Sequence, residues 1–188
     1  MRLHRPFRPW YVTQKWGIKN PAYEQFGFSR HNGIDVAAIY VGNPPKQLQT
    51  WPIYCPADGF RVYGVYDIPR GAGREIALIS KTELDLPTGR GHLYLSFMHN
   101  AKVLVPAGYE PAIGELIAVG DNTGFSTGPH SHIGGYRVDA KGRDLDKNDA
   151  SNSFDIEPLF LSSYAADQAS LSALIKSNFR YYKYLAGL

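Results

Sequence analysis

The sequence predicts a mainly β protein with a helix at its C-terminus. Thirteen tyrosines, nine phenylalanines and three tryptophans occur beside 19 glycines and 13 prolines, a mixture that favours short strands joined by turns and long loops. His130 and His132 are two residues apart, a spacing that places both side chains on one face only in a strand. With 188 residues, 44% of them hydrophobic, the chain suits one compact domain with a sizeable core.

The expected elements follow from alternating apolar residues and from turn residues between them. The first half of the chain is expected to contain a strand and turn over 8–18, a polar and aromatic loop over 19–30 and a turn-rich segment over 41–46. An alternating stretch follows over 53–66, with a hairpin-like turn at Asp58-Gly59. Strands over 75–80 and 92–99 are then joined by a polar hairpin loop, and short strands follow over 103–105 and 115–120. The strands over 75–80 and 92–99 are the clearest of these.

The last 25 or so residues change character. Their apolar side chains recur close to helical spacing, and Ser162 or Ser163 could cap the helix that this spacing predicts. The residues are Leu171, Leu174, Ile175, Phe179, Tyr182 and Leu185. We expect residues 161–188 to be a helical extension packed on the domain formed by 1–160. A dimer contact or a docking segment for a partner is the alternative.

Two short stretches hold residues that bind metal ions, His31-Asn-Gly-Ile-Asp35 and His130-Ser-His132. His31 and Asp35 are four apart, which suits a strand or one turn of a helix, and Gly33 between them permits a close backbone approach. Two imidazoles and a carboxylate supply three of the four donors that zinc prefers and leave one position for water. In this interpretation, one histidine of the His-x-His pair binds the ion and the other acts as a general base. The spacing does not say which.

The remaining histidines and the single cysteine are weaker candidates. Strand alternation puts Leu93, Leu95, Phe97 and His99 on one face. His99 is therefore either a core histidine bonded to a backbone carbonyl or a second catalytic imidazole at the rim of a cleft. His4, in an N-terminal segment that is expected to be frayed, and His92 are expected to face solvent. Cys55 is expected to be a small half-buried residue, and as the only cysteine it excludes an internal disulfide and a cysteine zinc cluster.

The run Gly120-Asp-Asn-Thr-Gly-Phe-Ser-Thr-Gly-Pro-His130-Ser-His132 closely resembles the glycine-rich approach to the His-x-His motif of the M23 metallopeptidases, the lysostaphin or LytM-type peptidoglycan endopeptidases. His31-Asn-Gly-Ile-Asp-Val-Ala resembles their first metal motif. Residues 94–99 resemble, more loosely, the strand with their catalytic histidine. The three motifs occur in the family's order, and the resemblance covers residues 10–160. Ser131 departs from the family's usual leucine, and Ile133-Gly134 from its usual Phe-Glu.

The resemblance implies an antiparallel β-sheet of the LytM/lysostaphin type with a groove across it. It implies that His31, Asp35 and His132 bind Zn²⁺ and that His99 and His130 are the catalytic pair. The expected activity is hydrolysis of peptide bonds in the stem peptides or cross-bridges of peptidoglycan. The departures do not affect a ligand, so they bear on substrate preference more than on chemistry.

Other function classes receive less support. The net charge is +3 and the basic residues are scattered, so nucleic-acid binding is not expected. No apolar run suggests membrane insertion or a signal peptide, and we expect an extracellular, periplasmic or virion-associated monomer. Its export would use another route, a holin-type release or a leader outside this sequence. The alternatives are a catalytically silent LytM-like binding or regulatory module and a mononuclear iron oxygenase.

Overall fold

The computed structural model describes residues 2–40, 42–146 and 153–161. In this part of the chain, eleven strands and two short 3₁₀ helices, Pro21–Phe26 and Glu157–Leu159, form the regular structure. The strands are β1 (Tyr11–Gln14), β2 (Ile34–Ala37), β3 (Ile39–Tyr40), β4 (Lys46–Gln47), β5 (Trp51–Tyr54), β6 (Phe60–Ile68), β7 (Gly73–Ser80), β8 (Leu84–Leu86), β9 (Gly89–Val103), β10 (Leu116–Gly120) and β11 (Ser131–Val138).

Strand β9 is the centre of the sheet. It has 15 residues, and it pairs with β11 on one side, with β7 on the other, and with β10 beyond its midpoint. The sheet continues from β11 through β2 to β1, from β7 to β6, and from β10 to β5, and these strand pairs are antiparallel. The predicted mainly β, antiparallel fold is confirmed.

The two faces of the sheet have different roles. Leu93, Leu95 and Phe97 of β9 are fully buried in the core. They pair with strands whose inward residues, Ile76 and Leu78 on β7 and Ile133 on β11, are equally buried. The opposite face forms the floor of a cleft, which is lined by Asp35, Glu75, His132 and Tyr136 among others.

The turn at Asp58-Gly59 forms, but it does not close a hairpin. Gly59 has a φ of +80°, a left-handed conformation that favours glycine. The strands on either side of it pair elsewhere, β5 with β10 and β6 with β7. The predicted hairpin between them is therefore wrong, because a local turn signal does not determine which strand becomes the hydrogen-bonded neighbour.

Two connections also differ from expectation. The predicted polar loop between the two clearest strands contains β8, which pairs with the start of β9 so that Leu86 lies opposite Gly89. Pro87 and Thr88 form the tight turn between them. The separate strand predicted over 103–105 is the end of β9, which continues to Val103.

The N-terminal segment is packed into the fold and is not frayed. Leu3 and Phe7 are buried in the core, and the Leu3 amide donates to the Leu159 carbonyl over 2.9 Å. His4 is consequently half-buried. His92 is half-buried too, and its Nδ1 donates to the Ser80 carbonyl over 2.7 Å. Both predictions of a solvent-facing histidine are wrong.

Cys55 is a small core residue. Its side chain is fully buried, its thiol donates to the Ala57 carbonyl, and burial raises its pKa to about 12. The predicted C-terminal helix lies outside the described residues, so the division into a domain over 1–160 and an extension over 161–188 stays a prediction.

Replacing Gly120 by alanine is expected to destabilise the fold by about 1–3 kcal/mol, because overpacking a filled core forces side chains or backbone to shift. A Cβ at Gly120 would lie 2.3 Å from the Trp51 ring, in a pair of adjacent strands. Urea denaturation measures the effect. The control Gly128→Ala adds a methyl group where no atom lies within 4 Å, and its stability should stay within about 0.5 kcal/mol. Equal losses in both variants would contradict this packing argument.

Candidate functional site

Strand pairing brings together residues that are almost 100 positions apart. Asp35 on β2 lies directly opposite His132 on β11, so their side chains leave the sheet on the same face. His31 precedes β2, and its ring is held from two sides. Its Nδ1 donates to the Lys15 carbonyl over 2.9 Å, and the Tyr23 ring stacks on it with centroids 5.3 Å apart.

The potential ligand atoms of these three residues form a nearly equilateral triangle. His31 Nε2 lies 3.1 Å from Asp35 Oδ1 and 3.0 Å from His132 Nδ1, and His132 Nδ1 lies 3.0 Å from Asp35 Oδ1. Four ligands at zinc's usual bond lengths would be separated by roughly 3.3 Å. The triangle therefore has the size of one face of a tetrahedral site.

The protonation of the three groups favours a shared cation. A carbonyl oxygen only accepts hydrogen bonds, so the neutral His31 ring carries its proton on Nδ1 and turns the lone pair of Nε2 toward Asp35. Burial alone would raise the pKa of Asp35, but its contacts with His132 and His31 hold that pKa well below the usual range. The Asp35 carboxylate thus lies 3.1 Å from His31 Nε2 and 3.0 Å from His132 Nδ1, and a metal ion held by all three groups would stabilise this close arrangement.

Gly33 permits this close assembly. A Cβ on residue 33 would lie 2.5 Å from the Ile133 carbonyl oxygen and 2.6 Å from His132 Nε2, distances that no side chain tolerates. The expectation that Gly33 allows a close backbone approach is confirmed.

A β-bulge turns His99 into the cleft. Arg74 pairs with Asn100 and Ile76 with Phe97, so Glu75 alone lies opposite both Met98 and His99. His99 has a φ of 65°, a left-handed conformation that is uncommon for a residue with a side chain. The extra residue shifts the alternation of β9, and His99 leaves the core face to line the cleft.

His130 is the fourth imidazole at the site. Its ring centroid is 4.7 Å from that of His99, and its Nε2 lies 3.5 Å from Asp35 Oδ1. Its Nδ1 donates to the Gly128 carbonyl over 2.8 Å, which leaves Nε2 as an acceptor when the ring is neutral. The structure therefore brings together the five residues singled out from the sequence, His31, Asp35, His99, His130 and His132.

His99 has a comparable backbone partner. Its Nδ1 donates to the Thr123 carbonyl over 2.7 Å, so the neutral ring also presents Nε2 as an acceptor. Burial, together with the neighbouring His130, lowers the pKa of His99 to about 4. At neutral pH, His99 is therefore uncharged.

The cleft around these residues has a volume of about 440 Å³ and includes residues that sequence patterns missed. Tyr23, Glu75, Met98 and Tyr136 all contribute to it. Tyr136 follows His132 at a spacing of four, so alternation from that histidine could have indicated it. Alternation from His99 would have placed Met98 on the opposite face, because the bulge is not visible in the sequence. No sequence signal distinguishes Glu75 from an ordinary exposed glutamate at the start of a strand.

Comparisons with known proteins agree with the fold. No family model matches the chain. An uncharacterized metalloprotease of Haemophilus influenzae is 34% identical over 113 residues, which cover 60% of this chain and 19% of the relative. The chain thus spans about a fifth of the length of this curated relative.

Solved structures share the same architecture. They include a zinc-containing peptidase from Vibrio cholerae (TM-score 0.54, 23% identity, 82% of this chain and 40% of that chain). Another is the catalytic domain of the antimicrobial peptidase lysostaphin from Staphylococcus simulans, with a TM-score of 0.54 and 20% identity over 79% of this chain and 90% of that chain. A third is the SpoIIQ–SpoIIIAH pore-forming complex, with a TM-score of 0.55 and 14% identity over 88% of this chain and 98% of that chain. At these identities the likeness shows the fold, and the predicted lysostaphin-like sheet is confirmed.

Glu75 is an unusual acidic residue for the floor of a cleft. Its side chain is only 7% exposed, and burial raises its pKa to about 7 from an ordinary value of 4.5. As pH rises, the unfolded chain loses this proton before the folded protein does. This carboxyl group therefore destabilises the folded state progressively between about pH 4.5 and pH 7.

Replacing Glu75 by glutamine should remove that penalty. The variant is expected to gain stability over the wild type as pH rises through this range, by on the order of 3 kcal/mol above pH 7 and by little below pH 4. Denaturant unfolding at pH 4, 5.5 and 8 measures the difference. Glu83→Gln, at a side chain that is 54% exposed, is the matched control. A stability difference that does not change with pH would contradict the raised pKa.

Proposed function

We propose that this chain is a zinc-dependent endopeptidase that hydrolyses the peptide cross-links of bacterial peptidoglycan. One observation carries the proposal. Three potential ligand atoms lie 3.0–3.1 Å from one another, at the base of an open cleft that two further imidazoles also line. Two histidines and one carboxylate with an open fourth position are the donor set of hydrolytic zinc sites.

His31 Nε2, Asp35 Oδ1 and His132 Nδ1 would hold the ion. When bound, zinc would act as a Lewis acid that acidifies a water molecule and polarises the scissile carbonyl group. The chain's contribution is to keep these atoms aligned. The Lys15 carbonyl orients His31, and the pairing of β2 with β11 keeps Asp35 beside His132.

His130 is suited to accept a proton. Its Nδ1 is committed to the Gly128 carbonyl, and its Nε2 lies 3.5 Å from Asp35 Oδ1. A water molecule near the three ligand atoms would therefore be within reach of that nitrogen, as a general base requires. In the proposal, His130 takes the proton from the attacking water.

His99 is suited to stabilise the oxyanion that forms on the scissile carbonyl group, while His130 acts on the attacking water. Its neutral ring holds its proton on Nδ1, against the Thr123 carbonyl. To stabilise an oxyanion by hydrogen bonding it must first gain a second proton on Nε2. With the His130 ring centroid only 4.7 Å away, a proton released during the reaction would be close at hand. In the proposal, the proton that His130 takes from the water passes to His99 Nε2, the protonated His99 donates a hydrogen bond to the developing oxyanion, and the proton finally goes to the leaving amine.

The substrate class is inferred from chemistry and from the similar proteins. The cleft is open and lined by aromatic, hydroxyl and amide side chains that suit an extended peptide. Lysostaphin is an antimicrobial peptidase, and the curated relative is named a metalloprotease. Peptidoglycan lies outside the cytoplasm, so we propose an extracellular, periplasmic or virion-associated monomer with the catalytic domain over 1–160. None of the helices in the described ranges has the length and apolar character to cross a membrane.

A catalytically silent binding module is the second candidate. The fold is also similar to that of a pore-forming complex, at a TM-score of 0.55. The complete triangle of ligand atoms from His31, Asp35 and His132, here called the donor triangle, favours the enzyme. A module that only binds a partner does not need a metal site.

The purified protein should hold zinc in a stoichiometric amount, and chelation should abolish hydrolysis of peptidoglycan sacculi. His31→Ala, Asp35→Ala and His132→Ala should each lose the metal and the activity, because each removes one of three donors. Elemental analysis and release of soluble peptides measure the two effects. Iron in place of zinc would support an oxygenase, and metal-loaded protein that leaves sacculi intact would favour the silent module.

His130→Gln and His99→Gln should keep the zinc and lose roughly 10²- to 10⁴-fold in turnover, the usual contribution of a positioned acid or base. His92→Gln is the matched control. This half-buried histidine lies on the same strand as His99 and contacts the Ser80 carbonyl, and its replacement should affect neither property. Full activity in His130→Gln on purified sacculi would overturn its assigned role.

A further inference from the structure

The carboxylate of Glu75 is buried in the cleft without a partner. Its side chain is 7% exposed and lines the cleft. Among the described residues, none donates a hydrogen bond to it or forms an ion pair with it. Buried carboxylates in folded proteins are almost always paired or bound to a metal. The raised pKa of Glu75 reflects that lack of a partner, and a cation from outside the chain would supply one.

Before a substrate binds, the side chains around Glu75 supply no positive charge. Tyr66 lies directly opposite it on β6, and burial together with the Glu75 charge raises the pKa of Tyr94 and of Tyr136, so both phenols stay neutral. No lysine or arginine occurs among the described residues that line the cleft. The other carboxylate there, Asp35, already contacts His31 and His132.

The position of Glu75 links it to the proposed reaction. It lies opposite the bulge formed by Met98 and His99, so its backbone neighbours that of the histidine assigned to the oxyanion, and both side chains line the same cleft. A group bound by Glu75 would belong to a substrate residue close to the scissile bond. Glu75 touches neither His31 nor His132, and it lies outside the donor triangle.

We propose that Glu75 binds a primary ammonium group of the substrate and selects peptides that carry an amine beside the bond to be cut. This inference rests on the proposed function, because it adds a substrate-binding group to the same cleft. The amine has two possible sources, the free α-amino end of a peptide and the side-chain amine of a diamino acid. Both are compact cations that would provide the buried carboxylate with a charged hydrogen-bond donor.

Met98 offers a direct probe of binding. The chain has two methionines, and Met98 lines the cleft beside His99. With ¹³C-methyl methionine, its signal can be assigned by its loss in Met98→Leu. The protein, in buffer with zinc, is titrated with Nα-acetyl-lysine methylamide and with its Nε-acetyl derivative. Alanine methylamide and Nα-acetyl-alanine methylamide form a second pair that tests the α-amino source.

A saturable shift of the Met98 signal is expected with at least one ammonium probe and with neither acetylated probe. Glu75→Gln keeps the shape and removes the charge, so it should weaken binding of that ammonium probe at least tenfold. Glu83→Gln should bind it as the wild type does. Equal shifts with acetylated probes, no shift with either ammonium probe, or unchanged affinity in Glu75→Gln would each overturn the inference. If Glu75→Gln did not fold, the comparison of charged and acetylated probes on the wild type would decide.

Hydrolysis separates this inference from the proposed function. Sacculi digested equally fast by the wild type and by Glu75→Gln, before and after acetylation of their free amines, would uphold the endopeptidase and overturn the ammonium site. Ammonium binding that depends on Glu75 in a protein that leaves sacculi intact would uphold the site and overturn the endopeptidase.

Discussion

The antiparallel register between β2 and β11 is the constraint on which the candidate site depends. Asp35 faces His132 across this pair, and the next pair along, Ile34 and Ile133, is buried in the core. A slip by one residue would exchange the faces, placing the carboxylate in the core and an isoleucine in the cleft. The cost of burying a charge among apolar side chains therefore protects the geometry of the donor triangle.

Much of this could be predicted because the periodicity of a strand is strict. The two-residue spacing of His130 and His132 indicated one face of a strand, and both residues line the cleft, although β11 begins only at Ser131. The four-residue spacing of His31 and Asp35 was compatible with a strand, but His31 precedes β2. The glycine-rich approach to His130 and the motif at His31 then indicated the sheet and the ligand set. Apolar alternation over 92–97 located the strand at the centre of the sheet.

Other features depend on tertiary structure that local patterns do not encode. His99 would point into the core if β9 continued its alternation, and only the bulge opposite Glu75 turns it outward. The neighbours of the buried Glu75 come from three other strands: Tyr66 lies opposite it on β6, and burial together with the Glu75 charge raises the pKa of Tyr94 on β9 and of Tyr136 on β11. The N-terminal segment resembled a frayed end, yet Leu3 is bonded to the segment around Leu159. A contact between residues so far apart in the sequence cannot be predicted from the local pattern around Leu3 or around Leu159.

One connection, over residues 121–130, orients His99 and His130, the two imidazoles outside the triangle of His31, Asp35 and His132. The Thr123 carbonyl accepts from His99, and the Gly128 carbonyl accepts from His130. Thr123 is itself anchored, since its hydroxyl donates to the Asn100 carbonyl and accepts from the Arg74 amide. An insertion or deletion between positions 121 and 130 would misalign both rings in a single event. Adaptation of this rim to another ligand is therefore limited to substitutions, for example at Phe125, Ser126 or Thr127, which line the cleft, while the length of the connection stays constant.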